Sequence, residues 1–395
     1  MHTAIICEEK LGERLKIVGV VGARPNFMKI SPLVRALNRE PEVFEFILVH
    51  TGQHYDPLMN DVFFRDLELP EPDIHLGVGS GSHASQTAKI ILGFEKVALE
   101  LKPHLVVVVG DVNSTVAAAL VAGKLGIALA HVEAGLRSHD RRMPEELNRI
   151  VTDTLSEVLF TPTRLADKNL LAEGIDPSRI ALVGNIMIDS LIRFLGPAAK
   201  SPLPGSLGLE PGGYGLVTLH RPSNVDSPAV LAEIVEALLA VARDLPLVFP
   251  VHPRTVKMLK AAGLFSRVEK AKGLRLIEPL GYIDFLALLR SAGLVFSDSG
   301  GIQEETTYLR VPCLTLRENT ERPETIEQGT NVLVGHDGGK IAGEARKILN
   351  GGGKKGGALE FWDGNVSLRI AWELKKRKNY FMTPAEIRLA EGARF

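Results

Sequence analysis

The sequence predicts two doubly wound α/β domains in tandem. Short β-branched runs alternate with helical patterns along most of its 395 residues. The runs are continuously apolar, as strands of a parallel sheet covered on both faces are. One Pro- and Gly-rich stretch, GPAAKSPLPGSLGLEPGGYG at 196–215, interrupts the alternation, which then restarts.

In the first half the strands are LKIVGVVG (15–22), FEFILVH (44–50), HLVVVVGD (104–111), IALAHVEAG (127–135), VLFTPT (158–163) and IALVGN (180–185). Helical patterns follow at MKISPLVRALNRE, STVAAALVAGKLG and PEELNRIVTDTLSEVLF. In the second half the strands are YGLVTLH (214–220), PLVFPVH (246–252), GLRLIEPL (273–280), GLVFSD (293–298) and PCLTLR (312–317), with helices at VLAEIVEALLAVARD, around IDFLALLRSA and from about Ile302. The expected domains are 1–195 and 196–375, each Rossmann-like, their ligands lying beyond the carboxyl ends of the strands in a shared cleft. Residues 1–14 read as an extension before the first strand.

Composition narrows the function. A formal net charge of -1 gives no reason to expect a nucleic-acid or membrane-surface partner. Cys7 and Cys313 supply neither a disulfide framework nor a Cys-based zinc site, and they fit a reducing cytoplasm. The N-terminal apolar segment is too short for a signal peptide, and no apolar run is long enough to span a bilayer.

Polar clusters follow the strands directly: GARPN, TGQHYD, GDVNST, HVEAGLRS, LHRPSNVD, VHPRT and SDSGG. In SDSGGIQEE (297–305), Ser299, Gly300 and Gly301 let backbone N–H groups approach an anion at a helix N-terminus. Glu304 and Glu305 can accept from a ribose diol, and Arg317 and Arg322 can bind a diphosphate. A tight turn with solvated acids is the plain alternative. GVGSG (77–81) lacks the strand and acid of a dinucleotide fingerprint, and there is no P-loop.

At the other end, Asp111 closes a buried strand; it either caps the next helix or serves a site. Glu133 ends another strand. Pro144 opens a helix on which Leu147, Ile150, Val151, Leu155 and Val158 share one face and Glu145 and Arg149 the opposite one. A solvated Glu145–Arg149 pair is the default for that spacing. His54, His131 and His220 near these carboxylates lack metal-site spacing. With Arg24, Lys29 and Arg137 on the same rim, proton transfer is the better use.

Taken together, GARPNFMKISPL, TGQHYD, GDVNST, HVEAGLRS, PEELNR, LHRPSNVD, SDSGGIQEE and ENTERPET resemble the non-hydrolysing UDP-N-acetylglucosamine 2-epimerases over roughly residues 15–375. The resemblance implies a glycosyltransferase-B type fold, with residues 376–395 returning as a helix to the first domain. It also implies interconversion of UDP-GlcNAc and UDP-ManNAc by a cytoplasmic homodimer in polysaccharide biosynthesis, with no cofactor and no metal. Asp111, Glu133 and Glu145 match the family's acid/base carboxylates and His220 its phosphate-side histidine. Arg24, Lys29, His54, Arg149, Ser299, Gly300, Gly301, Glu304 and Arg322 match substrate contacts.

Several positions depart from the family. Many bacterial members are activated by UDP-GlcNAc bound beside the active site; there the first histidine loop reads AQHRQ or AQHRE, and an Arg precedes QT. Here the loop is GQHYD, and Ser85 precedes Gln86-Thr87, which predicts weak or absent activation. Gln53, Arg221 and His252 remain compatible. RPN replaces RPE and HRPSN replaces HRREN, so a UDP-2,3-diacetamido uronic acid stays open as substrate. A glycosyltransferase of the same fold, a hydrolysing epimerase and a non-catalytic nucleotide-sugar sensor are the rivals.

Overall fold

The computed structural model describes residues 13–53 and 71–390, which form two compact units. One gathers 13–53, 71–186 and 365–390; the other spans 187–364. The chain passes between them at Ile186/Met187, inside a helix and ahead of the Pro- and Gly-rich stretch.

The first unit holds β1 (Leu15–Val21), α1 (Arg24–Leu37), β2 (Phe44–His50), β3 (Ile74–His75), α2 (His83–Leu101), β4 (Leu105–Val109), α3 (Asn113–Leu125), β5 (Ala128–Val132), α4 (Pro144–Leu155), β6 (Val158–Thr161), α5 (Arg164–Ala172) and β7 (Ile180–Leu182). All seven strands are parallel, in the order β3-β2-β1-β4-β5-β6-β7. The strand order therefore reverses between β1 and β4. In register, Val20 of β1 meets Val108 of β4, and Val108 meets His131 of β5. Val106, Val107, Val108 and Val109 are fully buried, as a central strand covered by helices requires.

The second unit continues α6 (Ile186–Ala199) and adds β8 (Gly215–Thr218), α7 (Pro228–Val241), β9 (Leu247–Pro250), α8 (Pro253–Ala261), β10 (Leu274–Ile277), α9 (Tyr282–Leu289), β11 (Leu294–Ser297), α10 (Gly300–Leu309), β12 (Cys313–Thr315), β13 (Asn331–Leu333) and α11 (Gly338–Lys347). Its parallel sheet runs β10-β9-β8-β11-β12-β13, with the reversal between β8 and β11. Leu231, Ile234, Leu238, Leu247, Phe249 and Phe296 form the centre of its core.

After the second unit, α12 (Val366–Lys376) packs against α1 in the first. It buries Val366, Ile370, Ala371 and Leu374, and Arg369 donates to the Val183 carbonyl at 3.0 Å. Further on, Arg388 donates to the Gly126 carbonyl at 2.6 Å and pairs with Glu157 at 3.1 Å. Among the described residues no helix is long and apolar enough to cross a membrane.

The helix α4 turns its polar face inward. Its inward residues are Glu146, Arg149, Thr152 and Asp153, while Leu147, Val151 and Leu155 are 45%, 38% and 37% exposed. The polar face is drawn inward because strand-end loops offer it fixed charges and backbone donors.

Candidate functional site

In an open parallel sheet the strand-end loops diverge where the order reverses, leaving a crevice for a ligand. Both units carry their chemistry-bearing residues at that point.

In the first unit, Asn26 on the first turn of α1 joins the loop after β1 to the end of β4. Its Oδ1 accepts from Ala23 N at 3.1 Å, and its Nδ2 donates to the Val109 carbonyl at 2.9 Å. The asparagine of RPN is thus spent on backbone. One turn later Lys29 forms a buried ion pair with Glu133 from the end of β5. Glu133 has φ +75°, a left-handed conformation that costs a non-glycine residue about 1 kcal/mol. Gly110 stands between these groups at φ +68°. A Cβ on it would lie 3.1 Å from Lys29 Nζ, 3.3 Å from Asn26 Nδ2 and 3.4 Å from Glu133 Oε2.

Asp111 follows Gly110. It is not a helix cap: α3 has Val112 at its N-cap, with no side-chain bond there. Instead its carboxylate accepts from Arg149 Nε at 3.0 Å, and Asn148 Nδ2 donates to its carbonyl at 2.8 Å. Arg149 does not form the expected surface pair with Glu145; it pairs with Asp111 and, tightly, with Glu146. Glu146 accepts from Ser138 N, Ser138 Oγ and His139 N, each at 2.9 Å, so it ties the loop after β5 to α4. Glu145 is half-buried on the first turn of α4.

His131 lies beneath this group and is fully buried. Its Nδ1 is 2.6 Å from Asp153 Oδ1 and its Nε2 2.8 Å from the Gly110 carbonyl. Asp153 also accepts from Gly135 N at 3.1 Å and pairs with Arg137 at 2.8 Å. Burial pushes the Asp153 carboxyl up, but His131 and then Arg137 outweigh it and hold it below the usual carboxylate range.

In the second unit, the reversal joins the loop after β8, with His220 and Arg221, to the loop after β11, with Asp298 and Ser299–Gly301. Asp298 is fully buried. It accepts from Arg221 N at 2.9 Å, His220 N at 3.1 Å and Asn224 Nδ2 at 3.2 Å, and pairs with His220 Nδ1 at 3.0 Å. Ser299 is the N-cap of α10, and Gly300 and Gly301 open it, directing N–H groups outward. A Cβ on Gly300 would lie 2.8 Å from Arg322 Nη1. The guanidinium of Arg322 thus covers the helix N-terminus, and Arg322 Nε donates to Glu304 Oε1 at 2.6 Å.

Around them Glu321 bridges Arg317, at 2.7 Å, and Arg322. Burial opposes ionisation of Glu321, but Arg322 and Arg317 hold its carboxyl well below the usual range. Burial pushes Glu305 up to about 8; a hydrogen bond from Tyr282, 2.9 Å long, opposes the shift and Glu304 adds to it. Burial likewise lifts Glu324 to about 7.

Of the residues singled out in the sequence, the structure brings together Lys29, Asp111, Glu133 and Arg149, with Glu145 one helical turn from Arg149. It separately brings together Ser299, Gly300, Gly301, Glu304 and Arg322, with His220 joined to them through Asp298. His54 and the side chain of Arg24 lie outside the described residues. Asp298 and Asp153 were missed. Asp298 sat inside SDSGG, where the small residues drew the weight, and Asp153 sat mid-helix with no motif to mark it.

The chain matches the family model described as UDP-N-acetylglucosamine 2-epimerase over residues 35–375. It is 46% identical over 342 residues to the UDP-N-acetylglucosamine 2-epimerase of Methanocaldococcus jannaschii, covering 85% of this chain and 93% of that protein. The crystal structure of that enzyme in complex with UDP-GlcNAc and UDP matches with a TM-score of 0.84 and 44% identity, over 91% of this chain and 99% of that one. The UDP-2,3-diacetamido-2,3-dideoxy-D-glucuronate 2-epimerase of Pseudomonas aeruginosa is 43% identical over 366 residues, 92% of this chain and all of that protein. Two reversal-point clusters, one of carboxylates with a lysine and one of a glycine turn with arginines, thus occur in a chain that belongs to the UDP-N-acetylglucosamine 2-epimerase family.

Proposed function

We propose that the protein epimerises UDP-GlcNAc to UDP-ManNAc, reversibly and without net hydrolysis. The second unit takes the nucleotide: the N–H groups of Gly300 and Gly301, with Arg322 and His220, bind the diphosphate, and Glu304 binds the ribose. The first unit acts on the sugar through Asp111, Glu133 and Glu145, with Arg24, Lys29, His54 and Arg149 as further contacts.

The hydrogen on C2 has no adjacent carbonyl and is weakly acidic. As the C1–O bond breaks, its electron pair leaves with UDP, and the positive character at C1 acidifies that hydrogen. A carboxylate takes the proton, and the C2–H pair becomes the C1=C2 bond of 2-acetamidoglucal. After the glucal turns, a protonated carboxyl delivers a proton to the opposite face of C2 while a UDP oxygen bonds to C1. Donors that meet charge only as it develops on the leaving diphosphate lower the barrier most.

The observation that carries this reading is the Lys29–Glu133 ion pair beside Asp111–Arg149, which gathers carboxylates and fixed cations at one strand-end crevice. The experiment is turnover in D2O: deuterium at C2 of both epimers supports it, and a nucleotide sugar left unlabelled overturns it. The relative from Pseudomonas supports a second reading, a UDP-2,3-diacetamido uronic acid as substrate. Parallel assays on the two UDP-sugars decide between them.

We also propose a homodimer. The exposed Leu147, Val151 and Leu155 give α4 an apolar stripe that a second copy would cover.

A further inference from the structure

The structure assigns Asp298 as the positioning residue that fixes the ring of His220 through a proton on Nδ1 and, as an anion beside it, favours the imidazolium, whose Nε2–H is turned outward to donate to the leaving diphosphate. This assignment rests on the reading above for what His220 faces, and on geometry alone for the Asp298–His220 relationship.

Four donors converge on the Asp298 carboxylate from the β8 side of the strand-order reversal: the backbone N–H groups of His220 and Arg221, the Asn224 amide and His220 Nδ1. Asn224 in turn donates to the Leu316 carbonyl at 2.8 Å. A carboxylate is acceptor-only, so a nitrogen 3.0 Å away must present its hydrogen to it. The Nδ1 proton of His220 is thereby set, because that position cannot act as an acceptor there, and Nε2 donates outward in the protonated ring. The Asp298 side chain is fully buried, while that of His220 is 46% exposed. One face of the ring is therefore anchored and the other is open to a ligand. His252, with its ring centroid 6.4 Å away, is the other titratable ring beside it.

The same residue carries the anion turn. Asp298 immediately precedes Ser299, so its four bonds lock the start of α10 to the His220 loop. A diphosphate on the Gly300 and Gly301 N–H groups meets His220 Nε2 in a geometry set by Asp298, with no reorganisation as the leaving-group charge develops. Burial pushes the Asp298 carboxyl up, but the bond and charge of His220 lead the interactions that hold it below the usual range, consistent with a standing anion.

Asp298→Asn tests this without a change of shape. The amide keeps one oxygen for Arg221 N and Asn224 and presents N–H to His220 Nδ1. The ring must then accept at Nδ1 and carry its proton on Nε2. Nitrogen-15 spectra, with the His220 signal assigned by its loss in His220→Ala, read the ring protonation directly. With UDP bound we expect both ring nitrogens protonated in the wild type, and a neutral ring with Nε2–H alone in Asp298→Asn. UDP, which carries the charge of the leaving group, should bind about tenfold more weakly than to the wild type, and kcat should fall about a hundredfold or more, as when a carboxylate that orients a histidine becomes an amide.

On a His220→Ala background, Asp298→Asn should cost less than about twofold further, since a residue acting through another adds nothing once that other is gone. An unchanged ring protonation in Asp298→Asn, or an equal loss of rate in both backgrounds, overturns the assignment. Absence of C2 exchange in the wild type would overturn the epimerase reading instead. The nitrogen-15 spectra need no turnover and still decide the role of Asp298.

Discussion

Arg149 reaches the Asp111 carboxylate at 3.0 Å from the buried face of a helix whose leucines point outward. The guanidinium holds two acids, Asp111 from the loop after β4 and Glu146 from its own helix. Arg149→Met keeps the bulk and removes the charge. It should lower kcat about a hundredfold or more by releasing Asp111. It should also destabilise the fold by about 3 kcal/mol, the order of cost for leaving a buried carboxylate such as Glu146 without its cation. Steady-state kinetics and urea unfolding read the two effects separately.

Gly110 and Gly300 are each needed for space. Gly110→Ala places a methyl 3.1 Å from Lys29 Nζ at φ +68° and should disturb the Lys29–Glu133 pair, lowering kcat with little change in UDP affinity. Gly300→Ala places a methyl 2.8 Å from Arg322 Nη1. It should weaken UDP binding by about tenfold, equivalent to about 1.4 kcal/mol. Calorimetric titration with UDP distinguishes the two variants.

Glu305 gives a pH dependence of stability whose sign is opposite to that of an ion-paired acid. Burial raises its folded pKa from 4.5 to about 8, so between these values the folded chain holds a proton that the unfolded chain has released. Stability therefore falls as pH rises across that window. Glu305→Gln keeps an acceptor for Tyr282 and removes the titration. Denaturant midpoints should show the variant more stable than wild type at pH 8.5, by up to a few kcal/mol, with the difference closing toward pH 5.

Ser85, where activation by a second UDP-GlcNAc would call for an Arg, is followed by Gln86. Its amide is committed within the first unit: Nε2 donates to the carbonyls of Gln53 at 2.9 Å and Gly79 at 3.0 Å, and Oε1 accepts from Asn113 at 2.8 Å. Initial rates with UDP-ManNAc alone should therefore be substantial. Strict dependence on added UDP-GlcNAc would refute this.

The apolar stripe on α4 makes the proposed dimer testable. Leu147→Glu with Val151→Glu should shift the sedimentation coefficient to that of a monomer. Both side chains are already solvent-facing within the unit, so its folding should survive.

The strands were legible because an apolar run flanked by Gly or polar loops has few other uses in a chain of this composition. LVVVV and FEFILVH were located almost to the residue. β3 and β13 were not, and the two residues of β3 carry no run to read. Glycine turns and strand-end acids marked most of the candidate site. Periodicity shows that α4 has two faces, and only the tertiary charges decide which one turns inward. Asp298 was hidden for a related reason: its four partners come from a loop some 75 residues away.

The closing residues of the first unit have a consequence for biosynthesis. Arg369 on the Val183 carbonyl and Arg388 on that of Gly126 finish an assembly begun with β1. Until residues 365–390 leave the ribosome, the α1 surface that α12 will cover stays bare, whereas the second unit already has every strand it needs. The later-encoded body is thus equipped to fold first, and the body that starts the chain waits for its last stretch.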